Sequence, residues 1–154
     1  MSVDQIVLAG GGHSHALLLR RWAMQPSLRP SCEITLVTRK STTLYSGMIP
    51  GLISGIYSKD QLEIDLRRLT LLSRVGLIVA EIIGIDLKNK KLLLENRPSI
   101  SFQVLSLDVG SETYFPEQVV LHRKEVEVVP IKPLEFSLAW IKAQDSKSLL
   151  NSSA

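Results

Sequence analysis

Two short apolar runs flank a helical pattern near the beginning of the chain. Residues 5–9 (QIVLA) and 33–38 (EITLVT) are almost continuously apolar or β-branched, which is typical of strands buried on both faces. Between them, residues 13–24 place Leu18 and Trp22 four positions apart, so that a helix there has an apolar face. A strand, a helix and a strand in this order predict a βαβ unit with parallel strands and a right-handed crossover.

The pattern changes after the second predicted strand. Residues 39–57 are interrupted by glycines and a proline, and predict a long irregular segment of the kind that often carries function. Ser58, followed by Gln61 three residues later, predicts a capping box. Asp65 is a second candidate cap, and helical spacing follows it through residue 74.

From residue 77 onwards, short apolar runs alternate with polar turns. Residues 77–83, 91–95 and 101–108 are predicted strands, and we expect them to form a small antiparallel β-meander. Residues 126–131 predict a further strand and residues 134–143 a closing helix. The predicted fold class is therefore α/β, with a parallel βαβ unit and an appended meander.

Composition and charge narrow the class of protein. The 154 residues, 45% hydrophobic and 21% charged, fit one globular domain over residues 1–144, with a disordered polar tail over 145–154. The net charge of +3 is too small and too dispersed to indicate nucleic-acid binding. One cysteine, Cys32, excludes an internal disulfide and fits a cytoplasmic protein. No apolar stretch approaches the ~20 residues of a membrane-spanning helix, so any membrane contact is expected to be peripheral.

The glycine-rich turn at Gly10 carries the strongest chemical signal. Gly10 and Gly12 occupy the first two glycine positions of Gly-x-Gly-x-x-Gly, the dinucleotide-binding fingerprint, between a predicted strand and a predicted helix. Gly10 permits the tight turn, and Gly12 leaves room for a pyrophosphate, which the helix amides and dipole favour. We predict phosphate binding beside His13 and Ser14. The alternative is a plain glycine turn with histidines packed at the start of a helix.

Two positions depart from this fingerprint. His15 replaces the third glycine, which implies a slightly lifted helix or an imidazole ring turned outward. At the end of the second strand, where an acidic residue normally binds a ribose, the chain has Thr38 and Arg39. Thr38 can still bind a ribose hydroxyl, and Arg39 can cover an adenine or a phosphate. His13 and His15 could ligate a metal, but no neighbouring acid or cysteine completes a ligand set, so no metal is predicted.

Four segments resemble the FAD-dependent pyridine nucleotide-disulfide oxidoreductase superfamily: GGGHSHALLLRRWAM, EITLVTR, YSGMIPGLISGIYS and EIDLRRL. They are most similar to its type II NADH dehydrogenase-like branch. More narrowly, they resemble the oxidoreductase domain fused ahead of selenide, water dikinase in some bacteria. The resemblance runs from about Asp4 to Lys142. It implies an incomplete Rossmann-like FAD-binding domain with a small antiparallel β-meander, and FAD as the cofactor.

The resemblance also implies which residues would surround FAD. Each part of the cofactor would have its own residues: the pyrophosphate (Gly10, Gly12, His13, Ser14), the adenosine ribose (Thr38, Arg39), the isoalloxazine (Ser46 to Pro50, with Gly47 and Met48), the adenine (backbone of Glu81 and Ile82), the flavin chain (Asp108, Gly110) and the flavin (Lys132). Residues 45–48 could instead form a structural turn, Asp108 could cap a turn, and Lys132 could be a solvated loop residue. No catalytic acid or base is implied, because the flavin carries the chemistry.

The activity implied by the resemblance is that of an NAD(P)H-dependent flavoprotein oxidoreductase that passes electrons to a quinone or a small acceptor. Members of the superfamily have a second glycine motif for NAD(P)H and a later Gly-Asp segment that completes the FAD domain, and this sequence contains neither. We therefore expect an FAD-binding N-terminal part, inactive alone, that needs a C-terminal half or a partner subunit. A non-catalytic nucleotide-binding or subunit-interaction module is the alternative.

Overall fold

The computed structural model describes residues 3–110, together with Ala139 and Ala143, each of which is helical and exposed. The chain divides into two units, residues 1–110 and 111–154. Several predictions lie outside the described residues: the strand at 126–131, the rest of the helix at 134–143, Lys132, the domain boundary at 144 and the tail at 145–154.

Nine strands and four α-helices follow one another within residues 3–110. The strands are β1 (Gln5–Ala9), β2 (Glu33–Thr38), β3 (Thr42–Leu44), β4 (Glu63–Asp65), β5 (Gly76–Val79), β6 (Ile82–Asp86), β7 (Lys91–Leu94), β8 (Arg97–Ser101) and β9 (Val104–Leu107). The helices are α1 (His13–Met24), α2 (Ile49–Ile53), α3 (Lys59–Leu62) and α4 (Leu66–Ser73), with 3₁₀ turns at Pro26–Leu28 and Ser46–Met48. A parallel sheet has the order β5-β2-β1-β9, an antiparallel sheet has the order β6-β7-β8, and β3 pairs antiparallel with β4.

The predicted βαβ unit is confirmed, and β1, α1 and β2 have the predicted bounds. Gly12 has an extended backbone and is the N-cap of α1. The helix ends after Met24 because Gln25, which precedes a proline, leaves the helical region. The α/β fold class is thereby established, with a Rossmann-like parallel sheet beside an antiparallel one.

Side chains of the central strands enter two separate cores. On β1, Leu8 packs on one side with the buried face of α1, while Val7 and Ala9 pack on the other side with the antiparallel sheet. The first core contains Leu8, Ala16, Leu19, Trp22, Ile34, Leu36, Leu66 and Val75. The second contains Val7, Ala9, Val37, Leu92, Leu94 and Phe102. Because both faces of β1 and β2 are covered, these strands are apolar at successive positions rather than alternating ones.

An antiparallel meander is present as predicted, but the predicted bounds of two of its three strands are wrong. The run at 77–83 is two strands: β5 joins the parallel sheet beside β2, and β6 begins the meander. The run at 101–108 is also divided, because β8 ends at Ser101 and β9 pairs in parallel with β1. Apolar periodicity shows that residues are extended, but it does not show which strand they pair with, so the change of sheet was not predicted.

The segment predicted as irregular contains short elements. Strand β3, the 3₁₀ turn at Ser46–Met48 and helix α2 all lie within residues 39–57. After it, the capping box of Ser58 and Gln61 is confirmed, and the Asp65 carboxylate accepts a hydrogen bond from the Arg68 amide at 2.9 Å. These caps place α3 and α4 as the spacing predicted, with α4 ending at Ser73.

Candidate nucleotide site

The glycine turn lies at the carboxyl end of the parallel sheet and is held between two neighbouring strands. The Gly10 amide donates to the carbonyl of Val37 at 2.7 Å, and the Gly12 amide donates to the carbonyl of Asp108 at 3.2 Å. Gly10 has φ +97°, and a Cβ atom added there would collide with the backbone of Asp108 and Val109. Glycine is therefore required at position 10 both for its backbone conformation and for space.

The Asp108 carboxylate caps the first turn of α1. Its Oδ2 accepts a hydrogen bond from the His15 amide at 3.0 Å, and the carboxylate fills the space that a Gly12 side chain would occupy. The space at Gly12 that the sequence assigned to a pyrophosphate is thus used by a carboxylate of the chain itself. A negative charge at this place is stabilised by the positive end of the helix dipole, just as a phosphate would be.

Two amides at the start of α1 remain available. Within residues 3–110, the amides of His13 and Ser14 donate to no other group. They are adjacent N–H groups in the first helical turn, where an anion has favourable electrostatics. These residues therefore fit a nucleotide phosphate through two amides, with the Asp108 carboxylate as a near neighbour.

The His15 side chain is turned inward, which corrects the expectation of an outward ring. It is 2% exposed, with Nδ1 lying 2.7 Å from the Gly10 carbonyl oxygen and Nε2 lying 2.9 Å from the Ser106 hydroxyl. Because a carbonyl only accepts, Nδ1 carries a proton and donates it to Gly10, while Nε2 and the Ser106 hydroxyl form a second hydrogen bond. The imidazole thus ties the glycine turn to β9, a role that the glycine of the fingerprint does not have.

The aromatic ring of Tyr45 connects the glycine turn with the segment that follows β3. The His13 imidazole, which is exposed, stacks on the Tyr45 ring at 4.5 Å between centroids and 26° between planes. A Cβ atom at Gly47 would meet the same tyrosine ring at 2.9 Å. Residues 45–48 are therefore adjacent to the start of α1, as FAD contacts from both segments would require. Met48 is half-buried, and Pro50 is exposed in α2.

The ends of β2 and β5 bring together Thr38, Arg39 and Glu81. Thr38 is largely buried, with its side chain packed against Gly11, so its hydroxyl is not an open ribose contact. The Arg39 Nε lies 3.7 Å from a Glu81 carboxylate oxygen, and both side chains are exposed to solvent. Ile82 is half-buried as the first residue of β6. Gly110, with φ +85°, is the last residue of the described range.

Two histidines, His13 and His15, lie within residues 3–110. Within that part of the chain, no three or more His, Cys, Asp or Glu side chains form a group that could hold a metal ion. His13 and His15 have different partners: His13 stacks on the Tyr45 ring, while His15 contacts the Gly10 carbonyl of the glycine turn and the Ser106 hydroxyl of β9. None of the helices in that part is both long enough and apolar enough to cross a membrane.

The chain is similar to several solved structures. No protein-family model matches the chain, and no curated protein matches it. Sulfide:quinone oxidoreductase of the hyperthermophilic bacterium Aquifex aeolicus is 18% identical, with a TM-score of 0.60 over 73% of this chain and 25% of that chain. Reduced CoADR-RHD of Bacillus anthracis is 20% identical, with a TM-score of 0.62 over 76% and 22%. Water-forming NADH oxidase of Lactobacillus brevis, bound to NADH, is 18% identical, with a TM-score of 0.58 over 74% and 26%.

These similarities establish a shared fold. The chain spans between 22% and 26% of the length of the three solved chains. By name, two of the three are a sulfide:quinone oxidoreductase and an NADH oxidase. At identities of 18–20%, the similarity shows a common fold and does not show that this chain has the activity of any of these proteins.

Sequence reasoning missed three features of this site. The first is the cap that Asp108 places on α1, and the second is the bridge that His15 makes to Ser106. The third is the stack of His13 on Tyr45. The only sequence signal for any of them is the histidine in the third glycine position, because its large polar ring needs partners when buried.

Proposed function

We propose that this chain is the FAD-binding part of an NAD(P)H-dependent flavoprotein oxidoreductase that passes electrons to a quinone or a small acceptor. The observation that carries the proposal is the pair of available amides at His13 and Ser14, at the carboxyl end of a parallel sheet. The fold shared with oxidoreductases, one of them bound to NADH, supports it. A bound flavin would supply the redox chemistry, and the chain's residues would bind and orient it.

The proposal includes three finer statements. NAD(P)H would be bound by a C-terminal half or a partner subunit, because the chain contains one glycine fingerprint. A relation to the oxidoreductase domain of selenide, water dikinase fusions is supported by the sequence motifs alone. The single cysteine supports a reducing, cytoplasmic setting.

Removing one amide donor tests the phosphate contact. Proline at position 13 deletes the N–H at the first helical position, where proline is well tolerated, and the extended backbone of Gly12 suits a residue before proline. We expect His13→Pro to bind FAD about tenfold more weakly than His13→Ala, because a hydrogen bond to a charged group is lost. The measurement is titration of FAD into the full chain, followed by flavin absorbance and calorimetry.

The matched alanine variant makes this test specific. His13→Ala removes the same imidazole and its stack on Tyr45 but retains the amide. Equal affinity of the two variants, or no flavin binding by the folded wild-type chain, would contradict the proposal. Flavin that binds but is not reduced by NADH in the presence of the completing subunit would favour the non-catalytic module instead.

The Asp108 carboxylate leads to a second prediction about affinity. A pyrophosphate at the amides of His13 and Ser14 would lie beside this carboxylate, and like charges at short range repel. We expect Asp108→Asn to bind FAD about tenfold more tightly, since asparagine retains an oxygen for the His15 amide but carries no charge. The measurement is the same titration at low ionic strength.

The control is Asp4→Asn, which makes the same charge change at the opposite end of β1 and should leave the affinity unchanged. Raising the salt concentration should narrow the difference between Asp108→Asn and the wild type, because the repulsion is screened. Weaker FAD binding by Asp108→Asn would show that the carboxylate supports the cofactor rather than opposing it.

A further inference from the structure

The end of β2 lacks the carboxylate that a nucleotide-binding fold normally places there. In this fold an acidic residue at that position accepts hydrogen bonds from the ribose hydroxyls. Here the position holds Arg39, and the preceding Thr38 is largely buried against Gly11. The arginine has no hydrogen-bond acceptor, and the buried threonine hydroxyl is out of reach of a ribose, so neither side chain replaces the carboxylate.

A carboxylate reaches the same place from the neighbouring strand. The amide of Ala80 donates to the Thr38 carbonyl at 2.9 Å, so the chain leaving β5 runs beside the end of β2. Glu81 is the next residue, and its backbone is anchored because its carbonyl accepts from the Glu95 amide at 3.0 Å. The two ends are neighbours by sheet register, with Thr38 opposite Val79.

The ion pair with Arg39 directs this carboxylate towards β2. Arg39 Nε and Glu81 Oε2 are 3.7 Å apart, and the two side chains are 68% and 43% exposed. An exposed pair of this kind adds only about 0–1 kcal/mol to stability. What the pair shows is position: the carboxylate lies near the end of β2, and its side chain remains open to a ligand.

The distance from the glycine turn also suits a nucleotide. In the order β5-β2-β1, the turn after β1 and the residues after β5 are two strand spacings apart, or about 10 Å. A diphosphate joined to a ribose is an extended group of comparable length. Phosphates at the start of α1 would thus leave the ribose near the ends of β2 and β5.

We infer that the Glu81 carboxylate binds the 2′- and 3′-hydroxyls of the nucleotide ribose, and that Arg39 positions it. The inference rests on the proposed nucleotide site and adds its specificity. A carboxylate accepts hydrogen bonds from a free diol, and it repels a 2′-phosphate. The site therefore selects nucleotides with an unmodified ribose, such as the adenosine half of FAD, over 2′-phosphorylated ones.

Two soluble ligands test the selectivity in the full chain. ADP-ribose has the free diol, and 2′-phospho-ADP-ribose has the phosphate in its place. We expect calorimetry to show that the wild type binds ADP-ribose at least tenfold more tightly than the phosphorylated form. In Glu81→Gln the affinity for ADP-ribose should fall about tenfold and that for the phosphorylated ligand should rise, so that the preference is lost.

Glu33→Gln is the matched control, because Glu33 is an exposed acid at the amino end of the same β2 strand. It should leave both affinities unchanged. Arg39→Gln reports the positioning role: the ratio of the two affinities should decrease several-fold while urea unfolding remains within about 0.5 kcal/mol of the wild type.

The outcomes separate this inference from the proposed function. ADP-ribose binding that is unaffected by Glu81→Gln would overturn the inference and leave the nucleotide site standing. A wild-type preference for the 2′-phosphorylated ligand would also overturn it, since Arg39 would then face the ribose. No binding of either ligand to the folded wild-type chain would overturn the proposed function and the inference together.

Discussion

Replacing Gly10 with alanine is expected to lower the free energy of unfolding by about 3–5 kcal/mol. The added Cβ would enter the backbone of Asp108 and Val109, which cannot move away as a flexible side chain could. The residue would also have to retain φ +97°, a conformation that side-chain-bearing residues rarely adopt. Urea unfolding followed by tryptophan fluorescence measures the loss, because Trp22 is buried in the core.

Gly55→Ala separates the two causes. Gly55 also has a positive φ, +73°, but a Cβ atom there would have no neighbour within 4 Å. We expect this variant to lose only about 1–2 kcal/mol, the cost of the left-handed backbone alone. Equal losses in the two variants would show that the contact between the glycine turn and the end of β9 contributes nothing. If Gly10→Ala failed to fold while Gly55→Ala folded, the result would agree with the prediction.

Replacing His15 with leucine is expected to lower the free energy of unfolding by about 2–4 kcal/mol. Leucine has a similar size but no polar atoms, so the buried Gly10 carbonyl and the Ser106 hydroxyl would each lose their partner. An unpaired buried polar group bears its full desolvation cost. The same urea unfolding measures the change, and His15→Gln, which can both donate and accept, should recover part of it.

His13→Leu is the control for this prediction, because it makes the same change two residues earlier. The His13 ring is exposed and stacks on the Tyr45 ring. We expect a loss of less than about 1 kcal/mol. If leucine at position 13 destabilised the chain as much as leucine at position 15, the buried hydrogen bonds of His15 would not explain the effect.

Both predictions concern one structural unit at the carboxyl end of the sheet. Gly10 joins β1 to the end of β2 through its amide, while Asp108 and His15 join the start of α1 to β9. The start of α1 is thereby fixed by neighbouring groups, while the amide N–H groups of His13 and Ser14 donate to no other group within residues 3–110. A rigid pair of donors of this kind loses little entropy when an anion binds, which supports a phosphate site.

The sequence by itself determined the elements whose signals are local. The bounds of β1, α1 and β2 were predicted from apolar runs, helical spacing and a proline, all within a few residues of one another. The caps at Ser58 and Asp65 were predicted for the same reason, because a cap bonds to an amide three residues away. The glycine turn was also predicted from local sequence, since its glycines lie between an apolar run and a helical pattern.

Only the tertiary structure decided which side chains meet at the carboxyl ends of the parallel strands. The carboxylate of Asp108 caps a helix 93 residues away in sequence, and the ring of His15 meets Ser106 over 91 residues. The pairing of β5 with β2 likewise brings Glu81 to Arg39. Local pattern reports whether a residue is extended, helical or buried, but not which distant residue lies beside it. That is decided when the sheet assembles, because the strand order alone determines which strand ends are neighbours.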